Sequence, residues 1–290
     1  CVSDTALVSF GVVEPNVIVQ SFNAGAYSTL SSVNSIYSIC GNYNAQLFRL
    51  NLPDTTKFPT YDIDWGDGTS SNNVSSTGSL VNTYTTAGLY NVTLTLYNSA
   101  GCEVIKNIKI YYGTTPPIAL GNTGNLSGCY DGVNDLFFDL ILSNPLDIPV
   151  GLDVTFSSND GSLPITVTTP LIDTSVSPPQ TAHPNIIDSA NGFLYYRHIF
   201  NKGSCGTSST VGTVFANSFY VNAVCVSPCG TGVNSVVPIY ISESPIAGVT
   251  GPSETCTQTT VLFSDTSTSG NAIDQTTSPV SCGAGTKGVW

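Results

Sequence analysis

Three aspartates lie close together in the segment YDIDWGDGT, which covers residues 61–69: Asp62, Asp64 and Asp67. Carboxylates at this spacing suit two kinds of chemistry, because calcium takes about six to eight oxygen ligands and glycosidases use a pair of carboxyl groups. The period of two along a strand places Asp62 and Asp64 on one face and Trp65 on the other. Turn and cap roles are the simpler interpretation, and calcium is the alternative.

A second oxygen-rich segment, CYDGVND, covers residues 129–135. Its aspartates, Asp131 and Asp135, have the same two interpretations, a turn or a calcium ligand set. No other cofactor is predicted.

The sequence offers few groups for nucleophilic catalysis. It contains two histidines: His183 precedes a proline in the loop SPPQTAHPN, and His198 lies in a run of β-prone residues. Neither lies beside the Gly-x-Ser-x-Gly elbow that presents a catalytic serine. The sequence therefore predicts a protein that is not an enzyme.

The charge balance excludes two classes of partner. Lysine and arginine together number 7 against 19 acidic residues, which gives a formal net charge of -12. Binding to nucleic acids depends on cationic side chains that displace counterions, and anionic membrane surfaces attract the same side chains. We therefore expect no nucleic acid and no membrane-surface partner, and the absence of a long apolar run predicts no direct membrane span.

The nine cysteines indicate an oxidising compartment. No CxxC is followed by a second CxxC, as a zinc ribbon would require. Two pairs share one spacing: Cys102 and Cys129 are 27 positions apart, and so are Cys229 and Cys256. This equality indicates an internal repeat.

Short strands are expected throughout the repeat. Residues 90–96 alternate apolar and polar side chains, which is the period of a half-buried strand, and β-prone runs follow at 104–112 and 233–241. The predicted divisions are the closing strand of a preceding repeat (1–13), one unit (14–113), a second unit (114–242) and a truncated third (243–290). We expect each complete unit to be a β-sandwich. By these divisions, the chain is expected to begin and end inside repeats.

The first unit resembles the PKD domain, an immunoglobulin-like sandwich. The resemblance rests on WGDGT at 65–69 and on NTYTTAGLYNVTLTLY at 82–97. The residues that match the family's motif are Trp65, Gly66, Asp67, Gly68, Tyr84, Gly88 and Tyr90. Asn82 stands where the family has the histidine of its His-x-Tyr motif. The resemblance implies structural roles for all of these residues.

The second unit lacks the tryptophan hairpin but is similar in outline. FSSNDGS at 156–162 has a comparable offset, and His198 fits the His-x-Tyr position. We interpret this unit as a diverged PKD-like domain with an insertion, and residues after Cys256 as the opening of a third. The expected fold class is all-β, with tandem immunoglobulin-like (PKD-type) β-sandwiches braced by disulfides.

The phase of the repeat predicts two disulfides, Cys40–Cys102 and Cys129–Cys229, and the leftover cysteines of the second unit give a third, Cys205–Cys225. The first two would join the first and last regions of each unit, and the third would brace the insertion. Metal binding by Cys225 and Cys229 is the alternative. For Cys1 the alternatives are a disulfide, a cut end and the acylated cysteine of a lipoprotein.

Tandem PKD-like repeats with these cysteines resemble large surface adhesins of Bacteroidota, such as gliding adhesins of the SprB type and other cargo of type IX secretion. The resemblance implies an extracellular, cell-surface location and attachment or gliding. It also implies O-glycosylation at Thr5, Thr55 and Ser189, which follow aspartates. The expected partners are neighbouring repeats or identical subunits, with surface polysaccharide or a substratum as ligand. The alternative function is an accessory polysaccharide-binding or spacer module of a secreted hydrolase.

Overall fold

The structure is a computed structural model that describes residues 15–41, 45–52, 55–75, 78–122, 124–143, 145–188, 193–257 and 260–284. The described chain is all-β apart from a single 3-10 turn at Pro145–Asp147. It divides into two compact units with the boundary between Thr115 and Pro116. The predicted closing strand at 1–13 lies outside the described residues.

The first unit is a sandwich of two sheets. Its strands are β1 (Ile18–Asn23), β2 (Ala26–Thr29), β3 (Ser32–Val33), β4 (Ile36–Cys40), β5 (Gln46–Asn51), β6 (Thr60–Asp64), β7 (Ser70–Ser75), β8 (Ser79–Tyr84), β9 (Gly88–Tyr97) and β10 (Glu103–Gly113). One sheet has the order β2-β1-β5-β8, and the other has the order β3-β4-β10-β9-β6-β7. Strand β4 runs parallel to β10, and the other pairings are antiparallel.

The alternation predicted for residues 90–96 is confirmed in β9. Val92, Leu94 and Leu96 are buried, while the residues between them face outward or are half-buried. They pack in one core with Trp65 and Phe48. Because neighbouring strands present their apolar residues to the same side, the two sheets close on a single apolar layer.

The second unit is a sandwich with additional hairpins. Its strands are β11 (Ala119–Asn122), β12 (Ser127–Tyr130), β13 (Leu136–Ser143), β14 (Asp153–Ser158), β15 (Ile165–Thr168), β16 (Ile172–Asp173), β17 (Gln180–Thr181), β18 (Ile186–Asp188), β19 (Leu194–Phe200), β20 (Ser208–Val211), β21 (Thr213–Ala216), β22 (Phe219–Ser227), β23 (Gly230–Glu243), β24 (Val249–Thr250), β25 (Ser264–Asp265), β26 (Asn271–Asp274) and β27 (Ser281–Ala284). One sheet has the order β11-β13-β19-β18. The other has the order β15-β14-β22-β23-β26-β27, with β12 parallel to β23.

Both units therefore share one strand order. In each, an early strand runs parallel to the last long strand (β4 on β10, β12 on β23), and that strand pairs with the one before it (β9, β22). The next neighbour is β6 in the first unit and β14 in the second. This is the two-sheet arrangement of an immunoglobulin-like sandwich, and the predicted fold class is confirmed.

The second unit has a β20–β21 hairpin between β19 and β22, and the predicted insertion stays a prediction. The hairpin forms a two-stranded sheet of its own. Ser209 and Ser218 bond to each other at its base, Oγ to Oγ at 2.6 Å, and both are buried.

The predicted third unit, 243–290, does not form a separate body in the described residues. Its β26–β27 hairpin joins the second unit's sheet through the pairing of Glu243 with Asn271. The Asn217 side-chain amide also donates to the carbonyl of Val280 at 2.8 Å. The physical reason is size, since a sandwich of this class takes about 100 residues and a shorter segment buries its apolar side by adding to an existing sheet.

Candidate functional site

The WGDGT segment forms the tight turn between β6 and β7. The Trp65 N–H donates to the carbonyl of Thr69 at 3.0 Å, which closes the turn. Asp67 accepts from the Thr69 N–H at 2.9 Å and from the Asn82 side-chain amide at 2.7 Å. The Tyr84 hydroxyl donates to the carbonyl of Trp65 at 2.9 Å. The motif residues thus hold the turn against β8, which is a structural role.

The other motif residues lie beside this turn. Tyr90 stacks on Tyr84 with ring centroids 4.0 Å apart, and its hydroxyl donates to the carbonyl of Thr86. Gly88 is the first residue of β9 and pairs with Tyr112. A Cβ at position 88 would lie 3.4 Å from the Tyr90 ring.

Gly66 is the position in this turn that admits no side chain. Its φ is +75°, and a Cβ there would lie 2.7 Å from the carbonyl oxygen of Asn91. We expect Gly66→Ala to destabilise the first unit by about 2 kcal/mol or more, because it combines a disfavoured φ with a backbone clash. Urea unfolding followed by Trp65 fluorescence measures this. Gly68→Ala is the matched control, since its φ is +89° with nothing within 4 Å of the added carbon. An equal loss in both variants would contradict the clash.

The second unit repeats the turn with different residues. Asp160 accepts from the Ser162 N–H at 2.9 Å and from its hydroxyl at 2.6 Å, as Asp67 does from Thr69. His198 Nε2 donates to Asp160 Oδ2 at 2.9 Å. His198 on β19 thus occupies the place of Asn82 on β8, where the sequence put the His-x-Tyr motif.

The two versions of this bond differ in burial. Asp67 and its bond to Asn82 are exposed, whereas Asp160 and His198 are 6% and 5% exposed. Burial by itself would raise the pKa of Asp160, but hydrogen bonds from His198 and Ser162 outweigh it and lower the pKa to about 2. Burial also opposes the shift at Asp67, and bonds from Thr69 and Asn82 lower its pKa. The sequence placed Asp160 in the segment 156–162 that corresponds to the WGDGT turn, but it did not predict the bond to His198.

The lowered pKa of Asp160 makes the second unit acid-sensitive. An aspartate with a folded pKa of about 2 and an ordinary pKa of 3.8 stabilises the fold above pH 3.8. That contribution, about 2 kcal/mol, is lost as the pH falls through 2. Hydrogen exchange read peptide by peptide between pH 5 and pH 2 should show β14 and β22 opening more steeply than in an Asp160→Asn variant. Identical pH profiles would contradict the assignment.

The carboxylates proposed as calcium ligands act as turn and strand acceptors. Asp62 accepts from the Asn73 N–H at 2.5 Å and from the Tyr97 hydroxyl at 2.8 Å. Asp64 accepts from the Gly66 N–H at 2.8 Å. Asp131 accepts from the N–H groups of Val133 and Asn134, at 2.9 and 2.7 Å. Hydrogen bonds from the backbone and the side chain of Asn134, and from the Val133 N–H, lower the pKa of Asp131 to about 2. Asp135 is exposed beside that turn.

No group of three or more histidine, cysteine or acidic side chains in the described ranges is arranged to hold a metal ion. The structure therefore adds nothing to the calcium alternative, or to metal binding by Cys225 and Cys229. The second histidine, His183, is also a turn residue, because its Nδ1 accepts from the Asn185 N–H at 3.1 Å.

The structure contradicts the disulfides predicted within each unit, because Cys102 and Cys129 are free thiols. The reason is the length of the last strand. Cys40 pairs with Gly113 at one end of β10, whereas Cys102 precedes the other end, about 35 Å away. Cys129 pairs with Ser242 near the end of β23, and Cys229 precedes its start, about 40 Å away. A disulfide needs Cα atoms within about 7 Å.

The predicted Cys205–Cys225 disulfide is also wrong, because Cys205 pairs with Cys282. Cys225 lies on the inward face of β22 with Val221 and Ala223 and is fully buried. Burial, with a smaller effect of Asp153, raises the pKa of this free thiol to about 11. Cys205 lies in the segment between β19 and β20, where the β26–β27 hairpin brings Cys282 close to it.

Each four-stranded sheet carries an arginine stacked on an aromatic ring. In the first unit, the guanidinium carbon of Arg49 lies 3.6 Å from the centre of the Tyr27 ring, and Nη2 and Nε donate to Gln20. In the second, Arg197 lies over Phe137 at 4.2 Å and makes two bonds of 2.7 Å to Asp139. The bonds to Asp139 raise the pKa of Arg197. The sequence analysis did not predict either cluster.

The second unit also has a cleft of about 580 Å³ at the end of its four-stranded sheet. Its lining is mostly apolar, with two acidic side chains, Asp147 and Asp188. The residues that line it are Ile141, Leu142, Ser143, Pro145, Leu146, Asp147, Ile172, Thr174, Pro179, Asp188, Phe193 and Leu194. Leu146 is strongly exposed and Phe193 is half-exposed.

Tyr111 and Tyr112, which are adjacent on β10, are both buried. Tyr196 stacks on Phe156 in the core at 4.0 Å, and Tyr195 is half-buried.

The structure describes one of the three predicted glycosylation sites. Thr55 lies half-buried in a turn before β6. Thr5 and Ser189 lie outside the described residues, as does Cys1.

No family model matches the sequence, and no curated protein matches it. Among solved structures, the chain is similar to the fibronectin(III)-like modules of Clostridium thermocellum CbhA (9% identity, TM-score 0.26, 71% of this chain and 90% of that chain). It is also similar to murine CEACAM1b (13%, 0.30, 78% and 100%). A third is a Bacteroides ovatus protein, SGBP-B, in complex with a mixed-linkage heptasaccharide (11%, 0.24, 82% and 59%).

These neighbours are immunoglobulin-like or fibronectin-III-like domains. At such identities the fold class rests on the strand order of the two units. The shared strand order of the two units defines the chain as tandem immunoglobulin-like β-sandwiches. Among the residues that the structure describes, no helix has the length and apolar character that a membrane crossing requires.

Proposed function

We propose that this chain is a non-catalytic structural and adhesive repeat segment of a secreted cell-surface protein or filament, where it mediates attachment or gliding. It has no cofactor in this proposal. Its partners are neighbouring repeats or identical subunits, and its ligand is a surface polysaccharide or another substratum.

The observation that carries the proposal is the repeated turn-to-strand bond. Asp67 with Asn82 and Asp160 with His198 occupy the same place in two sandwiches of the same strand order. The groups in the sequence best suited to acid–base chemistry are therefore used to fasten a turn. The use of these residues to hold a turn in each of two units favours a spacer or adhesive role, and Asp67 and His198 match the PKD motif at their positions.

An in-frame deletion of residues 14–242 from the parent gene tests this proposal. We expect cells to retain the shortened protein at the surface but to lose attachment to glass or agar and, in a gliding organism, movement. The matched control is Gly68→Ala, which leaves the segment in place. Normal attachment and gliding after the deletion, with surface display verified by antibody, would contradict the proposal.

The second candidate is an accessory polysaccharide-binding or spacer module of a secreted hydrolase. The cleft of about 580 Å³ and the half-exposed Phe193 favour it, because sugars bind to apolar rings flanked by carboxylates. In this case the deletion would lower hydrolysis of an insoluble polysaccharide in the culture medium and leave attachment unchanged. The two results separate the candidates.

A further inference from the structure

The cysteines of the two units occupy two equivalent positions. The parallel-strand position is Cys40 on β4 and Cys129 on β12, each beside the end of its unit's last strand. The turn position is Cys102 before β10 and Cys229 before β23. The equivalence follows from the shared strand order as well as from sequence spacing.

One cysteine at each position is oxidised and one is not. Cys40, at the parallel-strand position, is disulfide-bonded, and so is Cys229, at the turn position. Cys129 and Cys102, at the same two positions, are exposed free thiols. In a protein that forms disulfides, each free thiol thus lies where its counterpart is already a half-cystine.

Neither free thiol has a partner within its own unit, because the two positions lie at opposite ends of a strand about 35–40 Å long. Both thiols are presented by ordered backbone. The Asn98 side chain accepts from the N–H groups of Ala100 and Cys102, at 2.9 and 2.8 Å, and fixes the turn. Cys129 Sγ lies 3.0 Å from the hydroxyl of Ser244.

We propose that Cys102 and Cys129 are half-cystines of a disulfide between successive units of this fold, turn position to parallel-strand position. The proposal deepens the proposed function and rests on it for the kind of partner, another unit of the same fold. A link between different positions is head-to-tail, and such contacts extend into filaments instead of closing as a two-fold dimer.

The chemistry is thiol–disulfide exchange with a small disulfide oxidant. The thiolate of one cysteine attacks the oxidant, one sulfur leaves as a thiol, and the second cysteine displaces the other. One S–S bond breaks, one forms, and the two protons and two electrons of the cysteines end on the two thiols released.

Complementary variants test the pairing in the full 290-residue chain carrying Cys1→Ser and Cys256→Ser. Cys102→Ser and Cys129→Ser chains are each incubated with oxidised and reduced glutathione, alone and mixed, and run on non-reducing gels. We expect each alone to remain monomeric, the mixture to give at least ten-fold more disulfide-linked dimer, and the chain with both thiols to give a ladder. Mass spectrometry should identify the Cys102–Cys129 peptide pair.

Two results would overturn the pairing. One is equal dimer formation by either variant alone, and the other is glutathione adducts in place of cross-links. Both are distinct from failure of the proposed function, which is measured by attachment of cells. Peptide mapping of the parent protein then separates the two sources of the partner: a second copy repeats the Cys102–Cys129 peptides, whereas a further repeat of a longer chain contributes a different peptide.

Discussion

Replacing Asp160 by alanine is expected to destabilise the second unit by about 3 kcal/mol. The change leaves His198 buried without its acceptor and removes the acceptor of the Ser162 N–H and hydroxyl. A buried donor left without an acceptor costs up to about 3 kcal/mol. For a unit of this size we expect the melting temperature to fall by roughly 6–12 °C. Calorimetry, with hydrogen exchange to assign the transition, measures it.

Asp67→Ala is the matched control, because Asp67 makes the equivalent bonds in the first unit while exposed to water. Its loss should be about 1 kcal/mol and should appear in the first unit only. A similar loss in both variants would contradict the claim that burial of the Asp160–His198 pair sets its importance.

Removing the Cys205–Cys282 disulfide with the double variant Cys205→Ser, Cys282→Ser is expected to cost about 4 kcal/mol. The bond joins residues 77 positions apart, and its effect grows with the length of the loop that it closes. The β26–β27 hairpin should lose protection first, because its pairing with β23 in the described residues is the pair Glu243 and Asn271.

The control for this disulfide is Cys256→Ser, which changes an exposed cysteine outside the bond. Hydrogen exchange of peptides from 271–284 should be unchanged in the control and at least a hundred-fold faster in the double variant. Protection retained in the double variant would show that strand pairing alone holds the hairpin, contrary to the account.

Local pattern predicted the sandwich well. The alternation in residues 90–96 corresponds to β9, and the β-prone runs at 104–112 and 233–241 correspond to β10 and β23. The position of His198 was predicted from the His-x-Tyr motif. That motif was informative because a strand residue that bonds to a turn is constrained both in its residue type and in its distance from the turn along the sequence.

Long-range relations were not predictable in the same way. The pairing of Cys205 with Cys282 depends on a hairpin that adds to β23, and no periodicity specifies which sheet a short hairpin joins. Counting cysteines by repeat phase also ignored the length of β10, which separates Cys40 from Cys102. Burial of both Tyr111 and Tyr112 depends on what covers each side of the strand end, which a period of two leaves open.

The most direct test of the central claim is electron microscopy of the native protein sheared from its cells, combined with mass spectrometry of the parent chain. The account predicts long thin filaments and a chain composed of many immunoglobulin-like repeats. A compact particle whose parent chain contains a hydrolase domain would contradict it and favour the accessory module.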